Sequence, residues 1–112
     1  MNDIQHKGLK DRWKDFSFYE QMANIGSEVI RALNWEQKQK KDYSYLAFTR
    51  ALELLDFTTE GLKDYPKLKE LKRLRECLVD YFAGKNIYGS SPGNWNSYFN
   101  PFFNAYSLHR NL

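Results

Sequence analysis

Arg75, Asp56 and Glu53 are the residues whose type and position could do chemistry, because helical periodicity puts each charge on or beside a packing face. At about 100° per residue, Leu68, Leu71, Leu74, Leu78 and Phe82 share one face, and Arg75 falls on it between Leu71, Leu78 and Val79. In the preceding helical stretch the face runs Tyr45, Phe48, Leu52, Leu55, Thr59, with Asp56 roughly 40° from Leu52 and Glu53 at the margin. An arginine keeps its proton, so one drawn into a core requires a carboxylate or carbonyl partner. Asp56 and Glu53 are the natural partners. One reading makes the group a polar core that holds two helices in register, the arginine stem lying on the core while its head reaches water. The other makes it a small-ligand or enzymatic cleft beside Tyr81 and Tyr88.

Other chemistry is sparse. His6 and His109 stand near opposite ends of the chain, no Glu-x-x-His pair is present for a di-iron bundle, and a single cysteine, Cys77, is too few for a zinc site. No metal and no cofactor are expected. The run Gly84-Lys85-Asn86-Ile87-Tyr88-Gly89-Ser90-Ser91 has the outline of a phosphate loop, but Ser90 stands where that loop needs lysine and no strand precedes it. A helical ribonuclease that spaces arginine a few residues before histidine is not matched either, since Arg110 directly follows His109. The chain reads as non-enzymatic. A second kind of site is cationic: Lys38, Lys40 and Lys41 follow the first long helix, and Lys67, Lys69, Lys72 and Arg73 lie early in a later one. Both sets could meet RNA or DNA, although Glu70, Glu76 and Asp80 interrupt the second.

The elements that must carry these residues are helices. With 112 residues, 42 % hydrophobic and 17 % aromatic, the chain has material for one core in one domain, residues 1–112. A charge of +3 with 14 acidic residues interspersed describes a mixed surface. A lone cysteine fits a reducing, cytoplasmic setting, and neither a secretory signal nor a membrane span is visible. Residues 1–16 form a short lead-in in which Leu9, Trp13 and Phe16 could dock. Ser17 and Glu20 then form a capping box ahead of Phe18, Met22, Ile25, Val29 and Leu33. The next helix is expected from Asp42 as N-cap to Glu60, with Gly61 as a left-handed stop. Pro66 opens the third. Residues 84–94 are a turn-rich loop, and the last helix runs from Trp95 to His109, with Asn100 and Pro101 expected to restart it.

Two helices carry a second apolar side: Tyr19, Ala23, Gly26 and Ile30 on the first, Leu46, Ala47, Leu54 and Phe57 on the second. Tyr19, Ala23, Gly26, Ile30, Leu46, Leu54 and Phe57 are therefore a candidate homo-oligomer face. The alternative is that the second helix lies mid-bundle and its own chain covers both sides.

Met22-Ala23-Asn24-Ile25-Gly26-Ser27-Glu28-Val29, Arg50-Ala51-Leu52-Glu53-Leu54-Leu55-Asp56, Arg73-Leu74-Arg75-Glu76 and Asp80-Tyr81-Phe82 resemble a family of small uncharacterised bacterial helical proteins. In size and helix order the chain also resembles the four-helix proteins encoded in ribosomal-RNA intervening sequences and the accessory proteins of diversity-generating retroelements. That resemblance implies an antiparallel bundle, oligomers and a basic surface for nucleic acid. The expectation is an all-α, antiparallel up-and-down four-helix bundle with a short N-terminal lead-in. It is expected to act as an oligomeric interaction or scaffold protein, with nucleic-acid binding and the Arg75 cleft as alternatives.

Overall fold

Helix α1 spans Phe18–Gln37, α2 Lys41–Glu60, α3 Tyr65–Ala83 and α4 Pro92–Arg110, and a short helical segment ending at Trp13 precedes them. The computed structural model describes Gly8 and residues 10–110; among the described residues there is no strand. The chain folds into a body of 36 × 34 × 29 Å.

Local chemistry sets most helix ends. The Ser17 hydroxyl accepts the Glu20 amide at 3.1 Å, which satisfies one of the donors orphaned at the start of α1. α1 stops sharply after Gln37. Gln39 turns left-handed at φ 60°, the Lys40 amide donates to Trp35 O at 2.9 Å and the Gln39 amide to Glu36 O at 3.0 Å. Those two bonds make a Schellman stop with glutamine in the place that glycine usually fills. The cap of α2 lies two residues earlier than expected. Lys40 holds the cap position without a side-chain cap, and Asp42 sits inside the first turn, where its charge favours the helix dipole. Gly61 is not left-handed; it leaves α2 at φ −90°, a backbone any residue can adopt. Asp64 caps α3 by accepting the Lys67 amide at 3.2 Å, with Pro66 in the first turn.

The last helix departs most from expectation. It is continuous from Pro92, and Pro101 lies inside it. Its start is built by Ser91 and Asn94, each side-chain oxygen accepting the other's backbone amide, at 3.1 and 2.9 Å. Pro101 removes one helical hydrogen bond. Trp95 and Phe99, buried at 4 % and 0 % exposure, hold the segment before it against the core, so the helix persists through the defect.

α1 is the central element, packing on both α2 and α4, while α3 reaches the rest mainly through α2. Its two apolar sides are therefore covered by its own chain. Met22, Ile25, Val29 and Leu33 join one buried cluster with Phe48 and Leu55 of α2, Leu71, Leu74 and Leu78 of α3, and Trp95 and Phe99 of α4. Gly26 lies so close to α4 that an added Cβ would stand 2.7 Å from Phe99 Cδ1. The buried stripe of α2 is displaced from the expected one: Ala47, Ala51, Leu54 and Thr58 are buried with Phe48 and Leu55, whereas Tyr45 is exposed and Leu52 half-buried. The larger contact with α1 pulls that stripe to the α1 side. Ser44 donates to Ala32 O at 2.8 Å in the buried seam between them. Trp13 is buried, and its indole Nε1–H donates to Thr58 Oγ1 at 2.9 Å, so the lead-in docks on α2.

Candidate functional site

Arg75 and Asp56 are brought together. Arg75 Nε donates to Asp56 Oδ1 at 2.9 Å and Nη2 to Oδ2 at 3.3 Å, a two-pronged pair joining α3 to α2. The hydrogen bond to Asp56 raises the Arg75 pKa, partial desolvation opposes it, and the Asp56 charge raises it further. Both side chains remain nearly half exposed, 44 % and 45 %, so this is a surface clamp and not a polar core. Glu53 is half-buried one turn earlier on α2.

The cleft expected around Arg75 is only partly assembled. A shallow groove of about 450 Å³ is lined by Arg75, Glu76, Val79, Asp80, Ile87 and Tyr88. One of its two acids, Asp80, is occupied with the backbone: one oxygen accepts the Ile87 amide at 2.8 Å and the other the Tyr88 amide at 3.0 Å. Its carbonyl accepts the Gly84 and Asn86 amides. Asp80 thus folds the loop after α3. Tyr81 does not line the groove. Its phenol donates to Glu36 of α1 at 2.8 Å and its ring meets Trp95 edge-on at 6.1 Å. Desolvation first, then that hydrogen bond and the Glu36 charge, push the Tyr81 phenol up to about 12. Tyr98 is raised further, by burial and then by the charge of Glu70, and its hydroxyl is buried without a hydrogen-bond partner.

The basic residues fall into two separated groups. Lys38, Lys40 and Lys41 are exposed around the α1–α2 turn, where Lys38 Nζ lies 5.3 Å over the Trp35 ring and Trp35 packs on Tyr43 at 4.8 Å. Lys67 instead lies 4.7 Å over Phe18, at the opposite end of α1. Lys69, Lys72 and Arg73 are exposed along α3. Since α1 has 20 residues, about 30 Å of helix separates Lys38 from Phe18. Among the described residues the two groups therefore lie at separate places on the bundle.

The candidate oligomer face is also divided. Ala23 is buried, Gly26 is buried under Phe99 and Phe103 of α4, Ile30 is half-buried, and Tyr19 is exposed. Leu54 is buried on the α1 side and Phe57 half-buried beneath Lys10, whose Nζ lies 5.8 Å over its ring. Leu46 is 64 % exposed. With Arg50, also exposed, it lies away from the buried stripe of α2, whereas Tyr43 packs on Trp35 of α1 and Phe57 lies under Lys10, which pairs with Glu60 at 3.0 Å. Tyr43 and Arg50 were missed in the sequence, although 43, 46, 50, 53 and 57 repeat at three, four, three and four, the spacing of a helix-pairing seam. The signal was legible, but the same spacing also describes the buried faces.

Cys77 is a half-buried free thiol. Among the described residues no group of histidine, cysteine and acidic side chains could hold a metal ion. His6 and the side chain of His109 lie outside the described residues. Among them, too, no helix is long and apolar enough to cross a membrane. Comparison with protein-family models, with curated proteins and with solved structures finds no match.

Proposed function

We propose that this chain is a non-enzymatic interaction module that self-associates through the outward side of α2 and presents a helical scaffold to a partner. The observation that carries the reading is Leu46, 64 % exposed beside Tyr43 at 54 %, on a helix whose opposite side is fully packed. Large apolar side chains gathered on one rigid face mark an association surface more than an isolated exposed leucine would. The scaffold is an up-and-down bundle in this reading. Phe48 stacks on Phe82 and Asp56 pairs with Arg75, so residues later in α2 meet residues earlier in α3. Trp35 on Tyr43 and Ala32 beside Ser44 relate the end of α1 to the start of α2 in the same sense. Connections as short as Lys38–Lys40 and Gly61–Asp64 suit antiparallel neighbours. A cytoplasmic location suits the unpaired Cys77.

Light scattering over a concentration series tests it. The wild type is expected to exceed monomer mass, and Leu46→Glu to return it to monomer with unchanged helicity. A wild type that stays monomeric throughout refutes the reading.

The cation–aromatic cluster Lys38, Trp35 and Tyr43, with Lys40 and Lys41 beside it, favours a second reading as a single-stranded nucleic-acid platform, because stacked rings and lysines together hold bases and phosphates. Binding of an oligonucleotide that weakens steeply with added salt would support it. Binding that is absent at low salt would sink it.

A further inference from the structure

We propose that the loop after α3, residues 84–91, is a docking site for a partner protein segment that places an aliphatic side chain beside an arginine. This rests on the reading of the chain as a scaffold for a partner, and names the surface and the partner's chemistry. The loop puts two large side chains into solvent, Ile87 at 80 % and Tyr88 at 60 % exposure. Its backbone is nevertheless braced. Asp80 of α3 accepts the Ile87 and Tyr88 amides on its carboxylate and the Gly84 and Asn86 amides on its carbonyl. Asn86, left-handed at φ 52°, spans the turn with its side chain: Nδ2 donates to Ser90 O at 3.0 Å, and Oδ1 accepts the Ser90 amide at 2.9 Å. Its carbonyl accepts the Gly89 amide. A mobile apolar loop loses its freedom on binding, whereas this one has already lost it in folding, so the two side chains stand as rigid anchors.

The groove beside the loop sets the chemistry of the partner. Val79 and Ile87 give it an apolar wall, and at about 450 Å³ it takes a side chain or two and not a folded domain. Its charges are spent except one. Arg75 is paired with Asp56, and Asp80 holds the loop amides, whereas Glu76 is exposed and has no partner among the described residues. Lys72 and Arg73, earlier on α3, do not line the groove. The unspent charge is negative, so the complementary partner brings a cation. Arginine fits better than lysine, because its guanidinium lays its face on the Tyr88 ring and turns its fork to the Glu76 carboxylate. The neighbouring aliphatic side chain packs on Val79 and Ile87. A polyanion or an acidic membrane surface meets Glu76 and Asp80 instead and is repelled.

The test selects peptides from a phage-displayed random library on the intact chain and counter-selects on Ile87→Ser/Tyr88→Ser. That variant keeps the brace of the loop, because Asp80 holds those residues by their backbone amides. The enriched sequences are expected to share an aliphatic residue next to an arginine, and a synthetic peptide of that consensus to bind the double variant at least about 30-fold more weakly. Glu76→Arg is expected to weaken it at least about 10-fold and to prefer the same peptide with glutamate in place of arginine, a switch that a misfolded variant would not show. No enrichment, an acidic consensus, or peptides that bind Ile87→Ser/Tyr88→Ser equally well overturns the docking site. Binding to phosphatidylserine vesicles that the double variant loses overturns it too, since Ile87 and Tyr88 would then anchor the protein to a membrane. Light scattering keeps this apart from self-association. A wild type that self-associates while no peptide is enriched brings down the docking site alone; a monomer that binds the consensus peptide brings down self-association alone.

Discussion

Replacing Gly26 with alanine is expected to destabilise the protein, against the ordinary effect of that change inside a helix. Filling an interior helical glycine gains about 0.5–1 kcal/mol. At Gly26 the new Cβ would stand 2.7 Å from Phe99 Cδ1, 2.8 Å from its Cγ and 2.9 Å from Phe103 Cζ. Carbon pairs settle at about 3.5–4.0 Å, so the rings must retreat by about 1 Å. Phe103, half-buried, can yield. Phe99 cannot: it is fully buried and held edge-on by Tyr98 at 4.9 Å, so its retreat moves α4 off α1. Overpacking of this kind costs about 1–3 kcal/mol, which leaves a net loss of about 1 kcal/mol after the helical gain. Gly61→Ala is the matched control. Its backbone at φ −90° suits alanine and nothing lies within 4 Å of the added Cβ, so it should gain about 0.5 kcal/mol. Urea unfolding of both variants, compared at equal m-value, gives opposite shifts in midpoint if the reasoning holds. A Gly26→Ala protein as stable as Gly61→Ala would mean that the close approach does not hold α4 to α1.

Four further outcomes are expected. Arg75→Ala costs no more than about 1 kcal/mol, and less in high salt, because the pair with Asp56 is nearly half exposed; a loss of several kcal/mol in thermal unfolding would show a desolvated pair instead. Gln39→Gly raises stability by about 0.5–1 kcal/mol, since it relieves the left-handed residue of the Schellman stop at some cost in chain entropy; an unchanged denaturation midpoint would contradict this. Tyr98→Phe is neutral or stabilising, because the hydroxyl removed is buried and unpartnered, whereas a clear loss would reveal a bond that its surroundings do not contain. The Tyr81 phenol is raised from 10.0 to about 12, so its contribution to stability is complete below pH 10 and is lost as the pH climbs through about 12. An ultraviolet phenolate titration in which Tyr81→Phe removes no late-titrating group would refute that assignment.

The helices themselves were legible from local chemistry. Ser17 caps α1, Asp64 and Pro66 open α3, and Leu71, Leu74 and Leu78 are buried where a period of 3.6 puts them. The Arg75–Asp56 pairing was legible too, since a guanidinium on an apolar face needs an acid on its neighbour. Whether the head stays buried or reaches water stayed open, because wheel position says nothing of how far a long side chain reaches; the structure puts it nearly half exposed. Pro101 misled for a related reason. The local cost of proline argued for a break, and the burial of Trp95 and Phe99 against α1 outweighed it.

Sequence by itself determined an all-helical chain, the places where most helices begin, and which side chains could fill a core, because capping and periodicity act over a few residues. Tertiary structure decided which apolar side of each helix is used. Gly26 reads as part of an association face until α4 packs on it, and Leu46, read as part of the same face, stays exposed while α1 claims the other side of α2. Periodicity counts faces, but only the packing of one helix on another spends them, so the outward seam of α2 became visible only once α1 was seen to be the central element.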